Sequence, residues 1–347
     1  MAVDNAKLNR LKELISQKGA LLADGATGTN LFPVGLESGW PPEEWNETQP
    51  DKIRALHQSF VDAGSDIILT NTFGCNRHRL KLHHFQGNVS KWNKLAVELA
   101  REVAQSVKDR DVLVAGSIGP TGELFQPMGD LTHEDAVDSF REQAQALKDA
   151  DVDLLWIETM SSPDEIRAAA EACAGVGLPF TVTASFDSAG KTMMGLPPKG
   201  LGDLADKIEE EIGHKPAAIG SNCGVGASDL LVAILSLTEA YPEAIVIAKA
   251  NCGIPEIQGD KVVYTGTPDL MGKYMHMALD AGASIVGGCC GTSPHHLAAM
   301  REAMDSHEPG ERPTREAIES EIGHLVSPPR DDEDIARNRR GGRRRRS

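Results

Sequence analysis

Aromatic residues make up only 4% of this 347-residue chain, which leaves few ring faces on which a cationic ligand can rest. Positive charge is also scarce, since 35 Lys and Arg face 51 Asp and Glu and the formal net charge is −16. That balance excludes general nucleic-acid binding by the folded body, because phosphate recognition needs a basic footprint. No apolar run approaches the length of a membrane-spanning helix, and Met1-Ala2-Val3-Asp4-Asn5 lacks the basic start and apolar centre of a secretory signal. A cytoplasmic protein with no membrane partner is expected. The six cysteines form no paired framework, so free thiols in a reducing compartment are expected rather than disulfides.

The 40% hydrophobic content suits a globular core, and its distribution is periodic. Eight short apolar runs recur: 20–23, 66–70, 112–116, 153–157, 180–184, 217–220, 244–248 and 283–286. Each ends in glycine or polar residues, and most precede a helical pattern. Ile53, Leu56 and Phe60 fall at helical spacing, segments 92–107 and 132–147 read the same way, and Pro163 and Pro268 are helix-opening signals. Near-continuous apolar strands alternating with helices imply a parallel sheet covered by helices. Eight of them predict an α/β fold closed as a (β/α)8 TIM barrel. No low-complexity linker precedes Ser306, so residues 1–305 are expected to form one domain. Residues 306–347 are a C-terminal extension whose Asp331–Asp334 cluster and arginine block, Arg337 to Arg346, read as a disordered tail. Such a tail has charge for RNA, an acidic partner or the chain's own surface, or no dedicated role; the oligomeric state is not legible.

Chemistry in such a barrel gathers where strands end. Those ends carry Asp24-Gly25-Ala26-Thr27-Gly28-Thr29, Asn71-Thr72-Phe73-Gly74, Ser117-Ile118-Gly119-Pro120, Glu158-Thr159, Asn222-Cys223-Gly224, Asn251-Cys252-Gly253 and Gly288-Cys289-Cys290-Gly291. Cys223, Cys289 and Cys290 together make a three-thiolate metal site with an open fourth position, the arrangement of catalytic zinc. Adjacent residues on a regular strand point to opposite faces, so Cys289 and Cys290 share one ion only if the flanking glycines turn the backbone. Cys75, Cys173 and Cys252 read as packing thiols. Asp24 and Glu158 are strand-end acids suited to a substrate ammonium, although Asp24 also suits a turn. Gly25, Gly28, Gly119 and Gly122 leave amides open to an anionic group.

From about Gly19 to Met300 these motifs resemble the homocysteine S-methyltransferase family. The cysteine after the sixth run joined to a vicinal pair after the eighth is the most specific of them. The resemblance implies a zinc-dependent barrel, with one Zn2+ per chain on Cys223, Cys289 and Cys290, that methylates homocysteine to methionine. It also implies that Asp24, Gly25, Thr27 and Glu158 hold the amino-acid end of homocysteine. The similarity is greatest to the short bacterial betaine-homocysteine methyltransferases, which makes glycine betaine the first-choice methyl donor. S-methylmethionine or another sulfonium comes second. Animal-type betaine enzymes carry tyrosines where this chain has Gly74 and Thr159, so a donor site would draw on Phe32, Trp40, Asn71 and Phe73. The rival reading is a zinc- or thiol-binding regulatory module without turnover.

Overall fold

The computed structural model describes residues 3–258 and 261–329. Every apolar run of the sequence becomes a strand: β1 (Leu21–Leu22), β2 (Ile67–Leu69), β3 (Leu113–Ile118), β4 (Leu154–Met160), β5 (Phe180–Ala184), β6 (Ala218–Cys223), β7 (Val246–Ala250) and β10 (Ile285–Gly288). Two further strands, β8 (Pro255–Gln258) and β9 (Lys261–Tyr264), pair as an antiparallel hairpin after β7. The eight barrel strands are parallel and ordered β1-β10-β7-β6-β5-β4-β3-β2. The ring closes between β1 and β2 through a single bridge, Ala23 to Ile67, and the Asp66 N–H bond to the Leu22 carbonyl at 2.7 Å.

Alternation along the strands sorts the core into two shells. Leu21, Ala23, Ile67, Leu69, Leu113, Ala115, Leu154, Trp156, Ala218, Ile247 and Ile285 fill the barrel interior together with Leu11 and Leu14 from the helix Asn5–Lys18. Their neighbours Leu22, Ile68, Val114, Leu155, Val182, Ile219, Val246 and Val286 pack outward against the helices. Two-residue periodicity then makes the next inward positions polar: Ser117 above Ala115, Glu158 above Trp156, Asn222 above Gly220 and Lys249 above Ile247. All four are buried. The polar floor of the site is thus set by strand register, before any loop is considered.

Helices cover the outside and start at the predicted signals. Thr132 caps the helix His133–Asp149 by accepting from the Asp135 amide, and Ser162 with Pro163 opens Pro163–Val176. The extension beyond residue 305 packs back onto the barrel as far as it is described. Ile318, in the helix Arg315–Glu321, is fully buried, and the Asp229 carboxylate accepts from the amides of Val326 and Ser327 at 2.9 and 2.8 Å. The Arg-rich tail expected from the sequence lies outside the described residues.

Gly220 marks how closely β6 approaches β7: a Cβ there would lie 2.0 Å from the Ile247 carbonyl oxygen, a contact only strand separation can relieve. Gly220→Ala is therefore expected to lower the stability by about 2–3 kcal/mol in urea unfolding, and a variant as stable as the parent would contradict this packing.

Candidate metal and substrate site

The two cysteine loops are not neighbours in the sheet. Ala250 on β7 pairs with Cys223 on one side and with Gly288 on the other, so β7 runs between them. Two strand spacings separate the backbones by roughly 9–10 Å, and the sulfurs meet only because both chains turn inward over the end of β7. Cys223 adopts a left-handed backbone, φ +63°, and is followed by Gly224 at +77°. On the other side the Cys289 amide still donates to Ala250, at 2.7 Å. The chain then turns, with the Thr292 N–H on the Cys289 carbonyl at 3.0 Å and Gly291 at φ +80°. This turn lets adjacent cysteines face one point, as the flanking glycines suggested.

The Cys223 and Cys290 sulfurs are 3.9 Å apart, and all three sulfurs lie within 4.8 Å of one another. Tetrahedral zinc with Zn–S bonds near 2.3 Å requires sulfur separations of about 3.8 Å, so the trio fits that ion with little movement. It is the one such cluster of metal-ligating side chains among the described residues. Hydrogen bonds from Cys223 and Cys289 favour the thiolate of Cys290 and depress its pKa, while sharing protons with its two neighbours raises that of Cys223. Cys252 stays out of the cluster. Its amide holds the Cys290 carbonyl at 2.9 Å, but its sulfur lies against Gly266, where a Cβ would come within 2.7 Å of it. Cys75 and Cys173 are fully buried thiols, raised by desolvation, as packing residues should be.

Side chains missed by the sequence reading complete the centre. Asn222 accepts from the Thr159 amide at 2.8 Å and the Thr183 hydroxyl at 2.6 Å, and its amide group donates to the Thr159 hydroxyl and, at 3.8 Å, to the Cys289 sulfur. Tyr264, at the end of β9, lies on Gly291, and its hydroxyl helps hold the Cys290 pKa down. The Gly259-Asp260 pair between two apolar stretches was the available signal for a hairpin. Lys249 was legible only as a lone cation inside an apolar run. Its ammonium lies 2.7 Å from Asp24 Oδ1 and 5.7 Å above the Trp156 ring.

The predicted substrate residues divide into two groups. Asp24, Gly25 and Glu158 converge on the interior side. Asp24 accepts from Lys249 and, through Oδ2, from the Leu69 amide at 2.7 Å; burial pushes its carboxyl up against both contacts. Burial works against the Lys249 ammonium too, but the charges of Asp24 and Glu158 outweigh it and its pKa is raised. Glu158 takes the Ser117 hydroxyl at 2.5 Å and is pushed up to about 7 by burial, with Lys249 opposing. Gly25 is required by a close approach, since a Cβ would come within 2.6 Å of the Thr292 carbonyl oxygen. Thr27 is half-buried, and its hydroxyl makes no cap bond to the short helix Gly28–Leu31.

The second group sits on the loops after β1 and β2. Phe32 is 47% exposed and Trp40 40% exposed, the latter packed on His83 and Phe85 with its indole N–H on Glu44. The Phe73 ring lies on Gly119. The Asn71 amide group is engaged, donating to the Pro42 carbonyl at 2.7 Å and to Asn46 at 3.0 Å. At Gly74 a Cβ would stand 3.0 Å from the buried Glu43 carboxylate, a tight contact that Glu43 would have to yield to.

Three cysteine sulfurs gathered at the C-terminal mouth of a parallel barrel make a site able to hold a metal ion where such barrels carry out their chemistry. Residues 21–304 match the homocysteine S-methyltransferase family model, and the chain belongs to that family. It is 28% identical over 319 residues to the methionine synthases of Mycobacterium leprae and Mycobacterium tuberculosis, covering 85% and 87% of this chain. It spans about a quarter of those relatives, 25% and 26% of their lengths. The metallated form of the homocysteine methyltransferase MmuM from Escherichia coli shares the fold, with a TM-score of 0.70 at 23% identity over 84% of this chain and 99% of that one.

Because Asn222 orients the Cys289 sulfur and ties it to β4, Asn222→Ala is expected to weaken metal affinity about ten- to a hundredfold. Competition of the reduced protein with a chromophoric chelator measures this, and unchanged affinity would remove Asn222 from the centre.

Proposed function

We propose that this chain transfers a methyl group from glycine betaine to the sulfur of homocysteine, giving methionine and dimethylglycine, at a single zinc held by Cys223, Cys289 and Cys290. The observation that carries this reading is the meeting of three cysteine sulfurs beside a buried carboxylate–ammonium cluster at one end of the barrel. Zinc bound there would keep the substrate thiol deprotonated and nucleophilic at neutral pH, where a free alkyl thiol is mostly protonated.

The remaining work falls to the chain. Glu158, with one oxygen on Ser117 and the other unclaimed by a described protein donor, accepts the substrate ammonium beside Asp24. Gly25 and Thr27 lie at the same rim and present an amide and a hydroxyl to the amino-acid end. As the sulfur–carbon bond forms, the carbon–nitrogen bond of the donor breaks and its electron pair stays on nitrogen. Thiolate and cationic donor neutralise each other along this path. Water would stabilise the separated ions more than the transition state, so a buried interior favours transfer. Phe32, Trp40, Phe73 and Asn71 border the donor's approach. A sulfonium donor such as S-methylmethionine is the second reading, favoured by the glycine at position 74, which supplies no ring for a quaternary ammonium there.

Cys289→Ala is expected to lose both the bound zinc and methionine formation, read by metal analysis and by a panel of betaine, dimethylglycine, S-methylmethionine, dimethylsulfoniopropionate and methyltetrahydrofolate with homocysteine. Turnover with betaine supports the donor assignment, turnover with S-methylmethionine alone replaces it, and full activity in the variant would overturn the zinc mechanism. The raised pKa of Glu158 gives a pH dependence of definite sign. Below about 7 the carboxyl holds a proton and no longer pairs with an ammonium, so homocysteine affinity should there fall about a further tenfold per pH unit beyond the fall that comes from deprotonating the substrate thiol. In Glu158→Gln affinity should be low throughout and this extra steepening absent; a steepening that persists would assign it elsewhere.

A further inference from the structure

Among the described residues, large apolar side chains stand exposed at one end of the molecule only. Of eleven, ten lie on loops that follow barrel strands, and the other, Val326, lies on the extension where it reaches the same rim. A cavity for small substrates does not need such a rim, and exposed apolar groups gathered on one face mark a surface that something covers. The sector over β3, β4 and β5 adds charge to this pattern. Leu124 and Met128 follow β3 and Met193 and Met194 follow β5, and Met193 is the most exposed of all at 73%. Contacts tie these loops into one surface: Glu165, after β4, accepts from the Thr121 amide at 2.8 Å, and the Thr192 hydroxyl donates to the Ser161 carbonyl at 2.7 Å. The same loops carry Glu123, Asp130, Asp164 and Asp187, all exposed or half-buried, against a single lysine, Lys191. None of the four carboxylates is in an ion pair with a described residue.

The place where the described chain stops names the occupant. After the helix Arg315–Glu321 the extension climbs the outside of the barrel to the mouth, where the Ser228 hydroxyl donates to the Gly323 carbonyl at 2.6 Å and the Asp229 carboxylate seats the Val326 and Ser327 amides. The Ser327 hydroxyl then accepts from the Ala189 amide at 2.6 Å, and Pro329 lies on Gly190, where a Cβ would come within 2.7 Å of the proline ring. Residues 330–347 therefore begin on the loop after β5, inside the acidic sector. Seven of the ten residues 337–346 are arginine, and the four acids at 331–334 leave the segment cationic. Residues 330–337 can extend about 26 Å, whereas three adjacent strands span about 10 Å, so the arginines reach every loop of the sector. A guanidinium suits this face: it bonds carboxylates through its planar fork, is weakly hydrated, and lays its stem on apolar groups. We propose that the arginine block 337–346 docks in cis on the rim over β3, β4 and β5, with Glu123, Asp130 and Asp187 as its acceptors. A short tether gives the block an effective concentration of about millimolar at that face, an advantage no polyanion in solution shares.

The test keeps the full chain and follows a fluorescent synthetic peptide of residues 330–347 by anisotropy at low ionic strength. In one protein the seven arginines of 337–346 are changed to glutamine, which leaves the face free. That protein should bind the peptide, and the wild type should bind it about tenfold or more weakly because its own tail competes. Adding Glu123→Gln, Asp130→Asn and Asp187→Asn to the glutamine-tailed chain should weaken the peptide by about tenfold or more, and salt of about 0.5 M should abolish binding by screening. Equal peptide affinity in the wild type and the glutamine-tailed chain, no binding to either, or indifference to the three acidic substitutions would each overturn the proposal. A 20-nucleotide single-stranded RNA gives the reverse readout of tail availability. The three acidic substitutions made in the wild-type chain should raise its RNA affinity several-fold by releasing the arginines, while RNA affinity that is high and unchanged would show a tail already free for nucleic acid and would sink docking in cis. None of these readouts involves methyl transfer, so the proposed function stands or falls separately.

Discussion

With only Leu21–Leu22 in regular pairing, β1 has too few backbone hydrogen bonds to close a barrel against β2, and two carboxylates supply the missing acceptors. At the base Asp66 accepts from the Leu22 amide at 2.9 Å, surrounded by Lys18, Arg301 and Arg110. At the mouth Asp24 accepts from the Leu69 amide, and its other oxygen accepts from Lys249 on β7, two strands away around the barrel. Closure of the fold and charge of the site therefore pass through the same carboxyl group. Such a group tolerates little change: removing one member of a buried ion pair typically costs about 3–5 kcal/mol because the other is left uncompensated.

The loop after β1 continues this double duty. The Ala26 amide donates to the Thr292 carbonyl at 3.2 Å, the Asn30 side chain bonds the same carbonyl at 2.9 Å, and the Thr29 hydroxyl accepts from the Gly291 amide at 3.1 Å. The segment that carries Asp24, Gly25 and Thr27 is thereby stitched to the segment that carries Cys289 and Cys290. The proposed substrate and metal residues are held in a fixed relation by these contacts, which is why the absence of a side chain at 25 and 291 matters there.

Much of this was legible in the sequence because barrel strands are simple objects. An apolar run of four or five residues ended by glycine or a polar group has few other readings when it recurs eight times, and each such run became a strand. The cysteines were legible for a related reason, since their glycine neighbours serve a backbone turn and serve packing poorly. Lys249 was not legible because its meaning depends on register: one residue earlier or later it would face the outer helices. Tyr264 was hidden by the extra hairpin, which departs from the strand-then-helix rule after β7. The Asn71 amide and the Trp40 indole were visible as polar and aromatic groups near the mouth, but no local pattern marked Asn46 or Glu44, the neighbours that engage them.

The position of β7 between the two cysteine strands also constrains the order of events in the life of the chain. Cys223 is made well before Cys289 and Cys290, yet it has no partner sulfurs until β7 is wedged in place and β10 has docked beside it. A nascent polypeptide that stops short of its last barrel strand carries only one cysteine of this trio and cannot bring the three sulfurs together. Metallation at the proposed site would in this sense be a certificate of completed assembly.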